Sequence, residues 1–367
     1  MLDRKKIKVY PLEERDHALV MDEIKVCPKT KPLPCGEFED SQIKFLSEKF
    51  REAKEKGKAR MITYGAHSIK NGLGPVFCKL LCDGAVTHVA TNGAGSIHDW
   101  EFALIGKSTE SVKRYVAEGR FGIWDETGKY LNLAIIIGSA TGLGYGESVG
   151  KMIDEDGLTV PGENELKESI KNDLEKGITH NTAGKAELLK LIKEYNIEPG
   201  KIKIEHKCKD ISVQYVSYKL GRPLTVHPGI GYDIIYTHPW NTCGSIGICA
   251  ERDFLTFAGE AENLSEGGIH VTVGSAVMAP MVFEKSMSLV NNLRIQKGLG
   301  ASKDFTIAVV DIADGGNWDW TKGEPPHDNP AYYLRFCKSF SRMGGDLHYV
   351  CIDNRQFLLK LIENLGI

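Results

Sequence analysis

The chain carries a series of short apolar runs that end in glycine. Met61 to Tyr64 stops at Gly65, and His88 to Thr91 runs into Asn92-Gly93-Ala94-Gly95. Ala134 to Ile137 stops at Gly138, Leu224 to Val226 runs into His227-Pro228-Gly229-Ile230-Gly231, and Ile269 to Val273 stops at Gly274. Two further runs, Phe305 to Ile312 and His348 to Ile352, end in Ala313-Asp314-Gly315-Gly316 and Asp353-Asn354. Each run has the length of a strand buried on both faces, and helix-like stretches follow most of them. That is the pattern of a parallel sheet covered by helices. Ligands of such sheets sit beyond the carboxyl ends of the strands, where Gly-rich turns let backbone N–H groups approach a phosphate. The expected fold is α/β, a Rossmann-like doubly wound, mostly parallel sheet with a nucleotide-type site at its carboxyl edge.

The 367 residues, 42% hydrophobic and 26% charged, suffice for one large core or two domains. No composition break divides them, so the reading is an irregular arm over 1–40 and a single α/β domain over 41–367. A polar, mostly helical insertion falls at about 145–203. Ile43, Leu46, Phe50 and Ala53 are spaced for one face of a helix over 40–56. A net charge of −3, with Lys and Arg interleaved among acids, gives no attraction to nucleic acid. No run of about 18 apolar residues exists to cross a membrane. The charged start, Met1 to Lys8, does not read as a signal peptide. Nine scattered cysteines without a CxxC pair fit a reduced, cytoplasmic protein and offer no zinc pattern.

Four segments carry candidate chemistry. In Thr91 to Glu101 small residues join a strand to a helix, with His98, Asp99 and Glu101 in its first turns. The helix dipole disfavours protonated His98, leaving a neutral imidazole suited to hydrogen bonding or proton transfer near pH 7. In His227 to Asp233 a tight loop ends in an acid that either caps a helix or grips a cationic or hydroxylated ligand, with His238 five residues on. His270 lies in a strand and reads as core, while Ser275 follows as a helix cap or phosphate contact. Asp311 to Trp320 sets Asp311, Asp314 and Asp319 beside Trp318 and Trp320, a combination suited to an organic cation or an adenine ring. Gly138 to Glu147 looks like a phosphate loop but lacks the G-K-[ST] ending, so it reads as a lid or a turn.

Taken in order, these segments resemble the deoxyhypusine synthase family, in a divergent bacterial form. Thr63 to Gly72 resembles the family's strand, Ser and turn before its first helix, which nominates Ser68. Asp83 to Asp99 resembles the strand and acidic pair where the family holds NAD, with only Asp99 matching. Ser212 to Asp233 is the most specific match, and it assigns Asp233 to a polyamine site. Val273 to Val277 and Asp311 to Gly323 resemble later NAD- and substrate-binding turns. The resemblance implies a deoxyhypusine synthase-like NAD-binding fold, a homotetramer and an NAD-dependent transferase acting on a polyamine. The family's nucleophilic lysine lies in a W-G-K segment that this chain lacks. Of nearby Arg335, Lys338 and Arg342, only Lys338 could form an imine.

The expected cofactor set is Ser68, Thr91, Asn92, Gly93, Gly95, Asp99, Gly274, Ser275, Asp311 and Asp314, holding NAD. Asp233, His238, Trp318 and Asp319 form the substrate set, and Lys338, His98 and Asp233 the catalytic set. No metal ligand is assigned. The expected activity is transient hydride transfer on an amine- or hydroxyl-bearing small molecule. The alternatives are a metal-dependent hydrolase or lyase, using His98, Asp99, His227, Asp233, His238 and Asp311, and a non-catalytic nucleotide-binding protein.

Overall fold

The structure is a computed structural model that describes residues 2–316 and 318–367, so Met1 and Asn317 lie outside the description. The chain groups into two compact units. The first comprises Met1–Ile24, Ser96–Gly221 and Pro228–Asp253, and the second Lys25–Gly95, Arg222–His227 and Phe254–Ile367.

The second unit is built on six strands: β1 (Arg60–Tyr64), β2 (His88–Asn92), β3 (Leu224–His227), β4 (Ile269–Val273), β5 (Thr306–Asp311) and β6 (Asp346–Cys351). They lie in the order β3-β2-β1-β4-β5-β6, and every neighbouring pair is parallel. This is a doubly wound sheet whose strand order reverses between β1 and β4. Every residue of β1 and β4 is buried, which explains why these strands read as continuous apolar runs rather than alternating ones. On one face Met61, Ile307, Val309 and Leu347 pack with Phe257, Phe283 and Phe340. Against the other the helix Glu37–Glu55 buries Ile43, Leu46, Phe50 and Ala53, the spacing expected from sequence. That helix also packs on the C-terminal helix Asn354–Leu365, where Asp40 accepts from Lys360 at 2.8 Å.

Six of the seven expected strands are present, with ends that shift by one or two residues. The seventh is a correction. Ala134 to Ile137 lies inside the helix Asp125–Thr141, not in a strand. Leu131, Leu133, Ala134, Ile135 and Ile136 are all buried there, because the helix packs against the helices Tyr145–Asp154 and Thr182–Tyr195 of the first unit. A helix buried all round shows no amphipathic period and is written like a buried strand.

Residues 145–203 lie within the first unit as three helices, Tyr145–Asp154, Glu163–Glu175 and Thr182–Tyr195, with Gly157–Val160 paired antiparallel to Gly200–Lys203. Gly138 to Glu147, read as a lid or turn, ends one helix and starts the next. At that start Asp253 Oδ2 accepts from Gly146 N at 3.0 Å. A carboxylate of the chain itself thus occupies the anion position of the helix N-terminus. The N-terminal residues are short turns, a two-residue strand Leu19–Val20 paired with Lys107–Ser108, and the helical turn Met21–Ile24. Among the described residues no helix is long and apolar enough to cross a membrane.

Three imidazoles are buried in the sheet of the second unit. The Phe257 ring stands edge-on to His88, His227 and His270, at centroid distances of 5.5, 5.4 and 6.0 Å. His88 Nε2 meets Thr225 Oγ1 at 2.9 Å, His227 Nε2 meets the same hydroxyl at 3.1 Å, and His270 Nε2 meets Thr63 Oγ1 at 2.9 Å. Burial pushes each imidazole down to about 3. The unfolded chain therefore binds more protons once the pH falls below the ordinary histidine value, and stability drops through that window. At pH 5.5 each imidazole is expected to cost on the order of 1 kcal/mol relative to pH 7.5. Urea denaturation at the two pH values should show a clearly lower midpoint in acid, and an unchanged midpoint would contradict the neutral buried trio.

Candidate functional site

The carboxyl edge of the sheet is set by close backbone approaches. At the end of β1, Gly65 N donates to Val273 O at 3.0 Å, and a Cβ on Gly65 would lie 2.0 Å from the carbonyl oxygen of Gly274. Only glycine fits where β1 and β4 end side by side. At the end of β2, Thr91 Oγ1 donates to Tyr64 O at 3.0 Å, and Asn92 Oδ1 accepts from Gly95 N at 2.8 Å. A Cβ on Gly95 would stand 2.1 Å from Thr91 Oγ1. Thr91, Asn92, Gly93 and Gly95 thus form one locked corner that opens the helix Gly93–Ile105. After β4, Gly274 N donates to Val310 O, and Ser275 Oγ accepts from Ala279 N at 3.3 Å in the first turn of the helix Met278–Gln296.

Neither of these two helices has an acidic residue in its first turn. The side chains at their starts, Asn92 and Ser275, are neutral. Neither first turn sets a carboxylate of its own against the positive end of the helix dipole, which suits a phosphate.

The β5 end supplies acids of a different kind. Asp311 Oδ1 accepts from Ala313 N at 3.0 Å, and Asp314 Oδ1 accepts from Gly316 N at 2.8 Å, both turn contacts. Asp314 is exposed, as is the neighbouring Ile312. Ser68 is buried, and its hydroxyl accepts from Asn354 Nδ2 at 3.4 Å.

Of the two tryptophans expected as a ligand wall, one is buried and the other half-buried. Trp320 is buried in the core of the unit, Trp318 packs against that core, and Trp318 Nε1 donates to Gly323 O at 2.9 Å. Asp319 Oδ1 caps its own turn by accepting from Thr321 N at 3.1 Å. Lys338, the candidate imine-former, sits 3.1 Å above the centroid of the Tyr332 ring and 4.0 Å from Glu324 Oε2.

The remaining expected residues belong to the first unit. Asp99, nominated as a cofactor contact, is 2% exposed and accepts from Ser212 Oγ at 2.6 Å, Val213 N at 2.9 Å, Gln214 N at 3.1 Å and Gln214 Nε2 at 3.0 Å. It caps the helix Val213–Lys219, so its acceptor capacity is taken up by the fold and the cofactor assignment is corrected. His98 Nδ1 meets Ser108 Oγ at 2.8 Å, and that hydroxyl donates to Glu101 Oε2 at 2.5 Å. Glu101 forms a buried bidentate pair with Arg15 at 2.8 and 2.7 Å and also accepts from Thr127 Oγ1. Sequence reasoning did not find Arg15. His238 Nδ1 accepts from Trp240 N at 3.1 Å, which leaves Nε2 to donate to Asp125 Oδ1 at 3.3 Å.

Asp233 differs from these acids. It is 5% exposed, and Gly229 N donates to its Oδ2 at 3.0 Å. Burial pushes its carboxyl up to about 6. Burial raises the phenols of Tyr145 and Tyr236, and the Asp233 charge adds to it; the sequence did not single out either residue. Among the described residues no three His, Cys, Asp or Glu side chains come together as a metal site, so the cluster that the hydrolase alternative required is not assembled.

No known protein-family model matches the chain, and no curated protein matches it. Among solved structures, unliganded AgrE is similar at 14% identity and a TM-score of 0.44, over 91% of this chain and 34% of AgrE. A conserved LOR/SDH protein from Methanococcus maripaludis S2 is similar at 14% identity and a TM-score of 0.43, over 93% of this chain and 74% of that one. ArgZ, an arginine dihydrolase from the ornithine-ammonia cycle in cyanobacteria, is similar at 13% identity and a TM-score of 0.41, over 90% and 32%. The chain thus spans about a third of the length of AgrE. These structures are not deoxyhypusine synthases, and the resemblance to that family is corrected on this finding. The expectations of a polyamine-directed transferase and of a tetramer, which came from it, lose their support.

The Arg15–Glu101 pair tests how much of the first unit is structural. Arg15→Ala leaves a buried carboxylate without its cation and is expected to cost about 3–5 kcal/mol by urea denaturation. Arg15→Met combined with Glu101→Leu should recover much of that loss. A single-variant cost below about 1 kcal/mol, the range of exposed pairs, would show the pair to be a surface-like contact.

Proposed function

We propose that the protein is an NAD-dependent enzyme acting on an amine- or hydroxyl-bearing small molecule. The observation that carries the reading is the reversal of strand order between β1 and β4, flanked by two helix starts that lack acids. Open α/β sheets bind ligands at that reversal, and a pyrophosphate needs backbone donors without competing carboxylates. The residues fit the cofactor in donor chemistry. Asn92, Gly93 and Gly95 would frame one phosphate-binding turn, and Gly274 and Ser275 the other. Thr91 and Ser68 would hold those turns rigid from beneath, and Asp311 or Asp314 would accept from a ribose hydroxyl. The acid often found at the end of the second strand is replaced here by Asn92, which moves the expected ribose contact to the β5 end.

When bound, NAD supplies an acceptor for hydride from a carbon next to the substrate amine or hydroxyl. Within the first unit, Asp233, its carboxyl pushed up to about 6 by burial, is an acid of suitable strength to take a proton at neutral pH. His98 is held by Ser108 and is a second proton-carrying candidate. Lys338 is the lysine that would serve as nucleophile if the reaction passed through an imine.

Calorimetric titration with NAD is expected to give saturable binding. Ser275→Asp keeps a helix-capping side chain but sets a negative charge at the helix start, so it should fold normally and weaken NAD binding at least tenfold. Binding equal to the parent chain, or none to the parent chain at millimolar NAD, would refute the site. For catalysis, a panel of amines and polyols is followed by the near-ultraviolet absorbance of reduced cofactor. Activity should rise with pH through about 6, and Asp233→Asn should lower kcat by about 100-fold or more with that pH step abolished. NAD binding with no turnover of any substrate would favour a nucleotide-binding protein without catalysis.

A further inference from the structure

The N-terminal arm, which the sequence left without a role, reaches the loop that carries Asp233, and both belong to the first unit. Asp233 directly precedes the short turn Ile234–Tyr236. Arg4 Nη1 donates to Tyr236 O at 2.8 Å and to Asn241 Oδ1 at 3.0 Å, and Arg4 Nη2 donates to Asn241 O at 2.6 Å. None of these acceptors is a carboxylate. The guanidinium therefore holds backbone in place, and its planar fork fixes the acceptors relative to one another.

The turn is gripped from the other side as well. Asn241 Nδ2 donates to Asn132 Oδ1 at 2.9 Å, and Asn132 Nδ2 donates to Ile235 O at 3.0 Å. Asn132 stands in the helix Asp125–Thr141, and both asparagines are buried. Hydrogen bonds thus run from Tyr236 O through Arg4, Asn241 and Asn132 back to Ile235 O. We propose that Arg4 is a positioning residue for Asp233: it clamps the turn that follows the acid and so keeps the carboxylate buried against Gly229 N. This rests on the reading of Asp233 as the proton acceptor. Were the turn to loosen, water would reach the carboxylate, and the burial that raises its proton affinity would be lost. The titratable groups facing the carboxylate are the phenols of Tyr145, Tyr232 and Tyr236, and none is a cation. The sign of the effect separates two roles for Arg4. Loss of a nearby positive charge would raise the proton affinity of an acid, whereas hydration lowers it.

Carbon NMR of the full chain, labelled at its aspartate carboxyl carbons, follows this titration and needs no substrate. The Asp233 signal is assigned by its absence from Asp233→Asn. The parent chain should titrate at about 6. Arg4→Ala and Arg4→Lys, the second keeping the charge without the fork, should keep the fold by circular dichroism and lower the midpoint by at least one pH unit. Lys5→Ala, next to Arg4 in the arm but paired with Glu194, should leave it unchanged. A parent midpoint near 6 that Arg4→Ala leaves in place or raises would overturn the clamp while keeping Asp233 as the acid. So would an Arg4→Lys chain that titrates as the parent does, or an equal fall in Lys5→Ala. A parent midpoint at the ordinary carboxylate value of about 4 would instead refute the reading on which the clamp rests.

Discussion

The contact between the ends of β1 and β4 governs the second unit. Two buried parallel strands finish side by side, and the Gly274 carbonyl stands where a Gly65 side chain would be. The sheet reverses its winding there, which is where open α/β sheets bind their ligands. Glycine at this corner is a steric requirement of the sheet before it is a requirement of any ligand. Fold and candidate site therefore rest on one geometric condition.

The distribution of acids separates structural helix starts from available ones. In the first unit, Asp99 caps Val213–Lys219 and Asp253 binds the start of Tyr145–Asp154, so the chain fills its own anion positions. In the second unit, the starts after β2 and β4 carry Asn92 and Ser275. A neutral cap satisfies one backbone donor and leaves the dipole free for an external anion. Asp233 shows the opposite design. It is an acid kept in a poorly solvated setting with few donors, which raises its proton affinity instead of consuming its charge.

Most of the sheet was legible because burial on both faces writes a parallel strand as an uninterrupted apolar run. The exception, Ala134 to Ile137, follows from the same physics, since a helix buried all round loses its period too. The glycine corners at Gly65, Gly95 and Gly274 were visible from their place after those runs. The fate of the acids was not. Glu101 meets Arg15 across 86 residues of sequence, and Asp99 meets Ser212 across 113, so only the folded chain reveals that both are occupied. Trp320 misled for a related reason. An aromatic beside carboxylates has the same local sequence whether it faces a ligand or fills a core.

Hydrogen–deuterium exchange with and without NAD addresses the central claim most directly, because it reports backbone amides one segment at a time. The account requires added NAD to slow exchange in three separate stretches, 65–68, 92–95 and 274–278, which the chain order scatters and the sheet edge unites. Protection confined to other segments, or no change anywhere at saturating cofactor, would contradict it.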